Sequence, residues 1–153
     1  MAKIDDKDKL ILNLLQEDCS QTTKQIAAKV NLSQTAVYER IKRLEKQQVI
    51  KQYVALLDLE HIEKDFAAFC MVKLTDHTKK SLVNFEKNIF SLDEVTECYH
   101  ISGEYDYILK INVRNIKAYR EFMVNKLTSI PFISSTQSAF NISTVKSSTA
   151  VWL

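Results

Sequence analysis

Residues 22–50 carry the clearest repeat of apolar and polar positions in the chain. Ile26, Ala27 and Val30 share one helical stripe, and Val37, Ile41 and Leu44 share a second at i, i+4, i+7 spacing. Between the stripes lies Val30-Asn31-Leu32-Ser33. Ser33 caps the following helix and Leu32 packs into the corner, while Thr22 and Gln25 form a capping box for the preceding one. The pattern predicts two short helices joined by a tight turn. Upstream, residues 5–16 place Leu10, Ile11, Leu14 and Leu15 on one stripe, with Asp5, Asp6 and Asp8 where a helix dipole favours acids. Downstream, residues 49–57 change to β-branched and aromatic side chains and predict a short linking strand.

From Phe66 the period changes. Residues 66–74 are apolar on both faces, as expected of a strand covered on both sides. Residues 78–92 are amphipathic, with Leu82, Phe85, Ile89 and Leu92 on one face. Two strands follow at 95–101 and 107–113, then a helix marked by Ile116, Tyr119, Met123, Leu127 and Ile130 and ended by Pro131, then a strand at 133–145. The order β-α-β-β-α-β is the split arrangement of ferredoxin-like domains. The expected fold is therefore α+β, a winged helix-turn-helix domain followed by a ferredoxin-like, ACT-like domain. The expected divisions are residues 1–51, a linking strand and hinge at 52–64, and the βαββαβ domain at 65–153, through which copies of the chain are expected to associate. In this topology both helices cover one sheet face. The other face, to which residues 66–74 and the row Tyr107, Leu109, Ile111 and Val113 are expected to contribute, is expected to be covered by a second copy.

Charge turns the helical pair into a nucleic-acid candidate. Between residues 24 and 51 seven lysines and arginines face two glutamates, a local balance of +5, while the whole chain carries only +2. The second helix presents an amide, a hydroxyl, an aromatic ring and cations on its outward face, and a helix fits the major groove. Thr23, Ser33, Gln34, Thr35, Tyr38, Arg40, Lys42 and Arg43 are the expected DNA-binding residues. Gln34, Thr35 and Tyr38 are expected at base edges, and Arg40, Lys42 and Arg43 at phosphates or guanine.

Composition narrows the remaining classes. At ~7% glycine a chain of 153 residues would hold about ten; it holds one, Gly103, in the joint between two predicted strands. One glycine is too few for most nucleotide-binding turns, and no nucleophile elbow or HExxH occurs, so an enzyme is not expected. Cys98 and His100 share a strand face without a second pair at zinc-ligand spacing, so no metal is expected. His61 and His77 fall in linker and loop, where histidines are ordinarily solvated. No apolar run is long enough to span a bilayer, residues 1–9 lack a signal-peptide core, and three widely spaced cysteines suit a reducing compartment. A cytoplasmic, nucleoid-associated location is the expectation, with no membrane partner.

Several short motifs, in order, resemble the Lrp/AsnC (feast/famine) family of transcriptional regulators. They are Asp5-x-x-Asp8, Ile11-Leu12-x-x-Leu15-Gln16, Leu32-Ser33-x-Thr35, Arg40-Ile41-Lys42-Arg43-Leu44-Glu45, Val49-Ile50-x-x-Tyr53-x-Ala55 and Gly103-x-Tyr105-Asp106-Tyr107. Gln48 departs from the glycine usual there, and Gln34 stands where proline is common. The resemblance implies double-stranded DNA as partner, a homodimer built through the C-terminal sheets, often four dimers to an octameric ring, and a small amino-acid effector. It places the effector near the strand-joining loop, here Ser102, Gly103, Glu104, Tyr105 and Asp106, with Thr136 and Gln137 as neighbours. In that pocket Glu104 or Asp106 would receive an ammonium, and the Gly103 turn with Ser102 or Thr136 a carboxylate. Beside a regulator that reads sequence and answers to an amino acid stands a nucleoid-organising protein that bends DNA without a ligand. A protein-binding module is the third reading.

Overall fold

The computed structural model describes residues 4–153; residues 1–3, part of the expected N-terminal domain, lie outside the described residues. The chain divides into two compact units. The first runs to Leu56 and takes in Val145–Leu153; the second is Leu57–Thr144. The division differs from the expected 65–153 domain at its far end. There Val151 and Leu153 are hydrogen-bonded to Gln16 and Asn13, so the segment belongs with the helices of the first unit.

Three helices make the first unit: α1 (Asp6–Glu17), α2 (Thr23–Val30) and α3 (Gln34–Lys46). Each begins where a short polar side chain can accept an unpaired backbone N–H. Asp5 and Asp8 form a reciprocal capping box on α1, Thr22 and Gln25 another on α2, and the Ser33 hydroxyl accepts from the Ala36 N–H at 3.1 Å. The predicted stripes meet in one core, where Ile11, Ile26 and Val37 are fully buried, with Ala27, Val30 and Ile41 around them. A fully buried aliphatic side chain of this size contributes about 1.5–3 kcal/mol relative to an exposed one, so this core holds the three helices together.

The C-terminal ends of α2 and α3 both pass into left-handed backbone. Asn31 ends α2 at φ 56°, a conformation its short amide tolerates. Gln48 lies just past α3 at φ 57° and takes the role glycine usually fills. The hydrogen bonds are those of a Schellman turn: the Gln48 N–H donates to Glu45 O at 2.9 Å and the Val49 N–H to Leu44 O at 3.0 Å. The expected strand over 49–57 does not form. Residues 51–58 make no ladder, and Val54, Leu56 and Leu57 are exposed. β-branched residues favour a strand only where an edge is there to pair with.

The second unit has β1 (Phe66–Leu74), α4 (Lys79–Phe90), β2 (Val95–His100), β3 (Tyr107–Val113), α5 (Ile116–Asn125) and β4 (Ile133–Phe140), as the order of patterns predicts. The last strand is shorter than the expected 133–145, and the helix expected to reach Ile130 breaks into a 3-10 turn at Leu127–Ser129. The sheet is antiparallel in the order β2-β3-β1-β4. Ala68, Cys70, Val72 and Leu74 of β1 and Tyr107, Leu109, Ile111 and Val113 of β3 are buried against the helices with Phe85, Tyr119 and Phe122. Thus the apolar row of β3, expected on the uncovered face, lies inside the core, because its alternate residues point to the side the helices cover. The face away from the helices carries Phe69 and Met71 opposite Lys110 and Ile108, with Tyr99 beside Ile108. Phe69 and Tyr99 are 39% and 54% exposed, which is high for aromatic rings in the middle of a sheet face.

Gln48 offers a clean test of this local reading. A side chain held at positive φ is strained by about 1 kcal/mol, and glycine relieves that strain while losing somewhat more entropy on folding. Gln48→Gly should therefore raise stability by about 0.5 kcal/mol, seen as a higher urea midpoint at unchanged slope. A lower midpoint would show that the Gln48 side chain, whose Nε2 donates to Glu45 O at 3.2 Å, outweighs the strain.

Candidate nucleic-acid interface and effector loop

On α3 the buried residues are Val37, Ile41 and Leu44, which leaves Gln34, Thr35, Tyr38 and Lys42 exposed. These four fall within two turns on one side, with Ser33 at the cap. Gln34 Nε2 donates to Thr23 Oγ1 at 3.2 Å, so the first turns of α2 and α3 are linked through two of the expected DNA-binding residues. Lys42 Nζ lies 5.8 Å from the centre of the Tyr38 ring and 2.8 Å from Glu45. The Glu45 contact, more than any other, raises the Lys42 pKa and keeps the ammonium charged. Glu45 also accepts from the Tyr53 hydroxyl at 3.1 Å, which fastens the start of the linking segment to α3. Burial, then that bond, pushes the Tyr53 phenol up to about 12.

Arg40 and Arg43 have a different setting. Arg40 Nη1 donates to Asp5 at 2.7 Å and to Asp8 at 2.8 Å; Arg43 Nη2 donates to Asp8 at 2.5 Å. Asp8 is fully buried, so its carboxylate is tolerated only because both oxygens meet guanidinium groups. The Arg40 side-chain bond lowers the Asp5 pKa, and Asp5 in turn is the largest influence raising that of Arg40. The two arginines thus brace α3 against the N-terminus of α1. The Asp5-x-x-Asp8 spacing was visible in the sequence; its pairing across 32 and 35 residues was not, because periodicity carries no information on contacts between helices.

In the second unit Ser102, Gly103 and Glu104 are exposed at the turn between β2 and β3. Gly103 has φ +133°, and a Cβ placed there would meet nothing within 4 Å. Backbone conformation alone therefore calls for glycine. Tyr105 Oη donates to Gln137 Oε1 at 2.8 Å, which brings the loop to β4 as expected, and Thr136 lies opposite Val72 one residue earlier. Asp106 turns the other way. It is nearly buried, with one oxygen accepting from the Leu74 N–H at 2.7 Å and the other 2.6 Å from His77 Nε2. Its carboxylate is occupied in holding the loop to the end of β1, so Glu104 is the acid left at the tip. His77, expected to be merely solvated, is a positioning partner of Asp106. Among the described residues no cluster of three His, Cys, Asp or Glu side chains is placed to hold a metal ion, and no helix is long and apolar enough to cross a membrane.

Comparison with known proteins decides the lineage. Residues 4–45 match the AsnC-type helix-turn-helix domain, and residues 67–151 match the Lrp/AsnC ligand binding domain. The chain belongs to the Lrp/AsnC family. This regulator is 35% identical to the Bkd operon transcriptional regulator of Pseudomonas aeruginosa, over 95% of each chain. It is 32% identical to the leucine-responsive regulatory protein of Escherichia coli, over 95% of this chain and 88% of that one. Its structure superposes on a transcriptional regulator of Neisseria meningitidis in complex with L-Met, with a TM-score of 0.93 at 29% identity over 97% and 96% of the two chains. An AsnC family regulator of Agrobacterium tumefaciens gives 0.92 at 33% identity, over 96% and 95%. The chain is accordingly a DNA-binding transcriptional regulator.

Asp106 makes a pH prediction. Burial by itself raises a carboxyl pKa, but the Leu74 N–H and His77 outweigh it and hold Asp106 below the ordinary carboxylate value. A depressed folded pKa gives stability that is complete above the unfolded value, about 3.9, and is lost as pH falls through the folded one. Urea midpoints of the wild type should therefore fall below about pH 4, and those of Asp106→Asn should fall less steeply over the same window from a lower start. Parallel curves would remove Asp106 from the acid response.

Proposed function

We propose that this regulator reads operator sequence with α3 and changes its DNA affinity or assembly when a small amino acid binds at the loop around Gly103. The exposed row Gln34, Thr35, Tyr38 and Lys42, on a helix fixed from behind, is the observation that carries the DNA reading. Glutamine can pair with an adenine edge through both its donor and its acceptor, and lysine supplies phosphate charge. Thr23 and Ser33 hold the first turns of α2 and α3 toward the same backbone. Arg40 and Arg43 act chiefly by holding α3 at its angle, with the exposed part of Arg43 adding charge.

For the effector, Glu104 receives the ammonium, and the Gly103 turn with the Ser102 or Thr136 hydroxyl receives the carboxylate. Tyr105 and Gln137 form a wall, and Asp106 keeps the loop in shape. That the similar Neisseria meningitidis regulator is in complex with L-Met supports an amino acid as the ligand class. The exposed aromatic face of the sheet supports a homodimer in which a second copy covers Phe69, Met71 and Tyr99. Four such dimers form the octamer that the family resemblance implies. Two α3 helices per dimer then enter successive major grooves about one helical turn apart. A regulator of this kind works in the cytoplasm on the nucleoid.

Two substitutions separate reading from attraction. Lys42→Ala should weaken binding to all sequences and reduce the slope of log affinity against log salt by about 1. Gln34→Ala should cost about 1–3 kcal/mol on the preferred operator and far less on unrelated DNA. Equal losses on every sequence would favour a DNA-bending protein without preference. In parallel, calorimetry with each of the twenty amino acids should give heat from at least one, and Gly103→Ala should weaken it. Light scattering should find no stable species at the 17.7 kDa chain mass. Silence from all twenty rejects the effector, and a stable monomer rejects the dimer.

A further inference from the structure

Val145–Leu153 returns from the end of the second unit into the first. Its attachment to α1 is unusually regular. Gln16 meets both backbone groups of Val151: Nε2 donates to the carbonyl at 2.9 Å and Oε1 accepts from the N–H at 2.7 Å. Asn13 does the same for Leu153, at 3.3 Å and 3.2 Å. A side-chain amide is a peptide group free of the main chain, and here two of them, one helical turn apart, read alternate residues of an extended segment as a neighbouring strand would. Val151 and Leu153 share one side of that segment by the strand period. Both stay more than half exposed, and together with Leu12, Leu15, Ile50 and Val54 they line a cavity of about 820 Å³.

We propose that residues 149–153 are a releasable strap that couples the effector-binding unit to the helix-turn-helix. Docked, the strap gives the helical unit a second link to the rest of the chain, beside the linking segment at Leu56–Leu57. Released, it leaves the linking segment alone. The four bonds are exposed and do not by themselves outweigh the entropy of fixing five residues, so docking depends also on the apolar side of the strap and is favoured by only a small margin. β4 ends at Phe140, and only residues 141–148 separate it from the strap. A ligand seated beside Thr136 and Gln137 is therefore a short length of chain away from an element that holds α1. The coupling rests on the amino-acid reading above; the docking does not.

The chain's only tryptophan, Trp152, sits in the strap and reports its motion. In the full-length wild type most of its time-resolved anisotropy should decay with overall tumbling. In Asn13→Ala/Gln16→Ala, and in Val151→Pro, which removes the N–H that Gln16 accepts and leaves α1 intact, the fast sub-nanosecond component should grow. Gel shifts on genomic fragments bound by the wild type, with the twenty amino acids added singly, test the coupling. An amino acid that alters wild-type DNA affinity about tenfold should alter that of Val151→Pro less than about twofold, while calorimetry shows that it still binds the variant. No gain in the fast component in either variant overturns the docking. A full amino-acid response in Val151→Pro overturns the coupling. If no amino acid alters wild-type DNA binding, the effector reading falls and the coupling with it, and the anisotropy still decides whether the strap docks.

Discussion

A single buried carboxylate sets the geometry of the DNA-binding unit. Asp8 has no solvent to stabilise its charge, and both of its oxygens are taken by arginines from α3. Removing one partner of such a cluster leaves a charge uncompensated, so the arrangement tolerates few alternatives even where its net contribution to stability is small. The consequence is directional rather than energetic. An apolar core of Ile26, Val30, Val37 and Ile41 permits some sliding and rotation of packed helices, whereas a fork of hydrogen bonds to one carboxylate fixes the rotation of α3 about its axis. That rotation decides whether Gln34, Thr35, Tyr38 and Lys42 face outward together.

The same economy of charge separates two kinds of cation on one helix. Lys42 is exposed beside Tyr38, with its nearest acid on its own helix, and its flexible stem can turn to a phosphate. Arg40 is committed to two acids, the N-cap Asp5 and Asp8 in the first turn of α1, and is only a quarter exposed. A count of basic residues treats them alike, and the +5 balance of residues 24–51 overstates the charge free to meet DNA. The acids that offset it, Asp5 and Asp8, precede that window in sequence while lying against it in space.

How much could be read from the sequence follows from this distinction. Elements defined by local chemistry were legible: the acids at the start of α1, the capping pair Thr22/Gln25, the Ser33 cap and the stripe on α3. The strand at 66–74 was expected to be covered on both sides, and Phe69 on its second face is exposed. Gly103 was legible too, because a chain with one glycine marks where positive φ is needed. What failed depended on partners distant in sequence. Residues 49–57 have the side chains of a strand but no ladder. Asp106 looked like a ligand acid and proved to hold the Leu74 N–H and His77. Residues 145–153 carry no strong period, so nothing in them announced that Gln16 and Asn13 would bind their backbone.

Backbone recognition by side-chain amides also explains why that last contact leaves no mark in the hydrophobic pattern. Gln16 and Asn13 engage N–H and C=O groups that every residue but proline possesses, so the segment they hold is free in composition provided it is extended and lacks proline at the paired positions. Specificity comes from spacing: three residues along α1 against two along the segment. A contact of this kind can be made and broken without disturbing a core. Asp8 and its arginines, by contrast, cannot be parted without stranding a buried charge. The helical unit thus joins a fixed device, which aims α3, to a reversible one on the neighbouring turns of α1, and the two meet on a single helix of twelve residues.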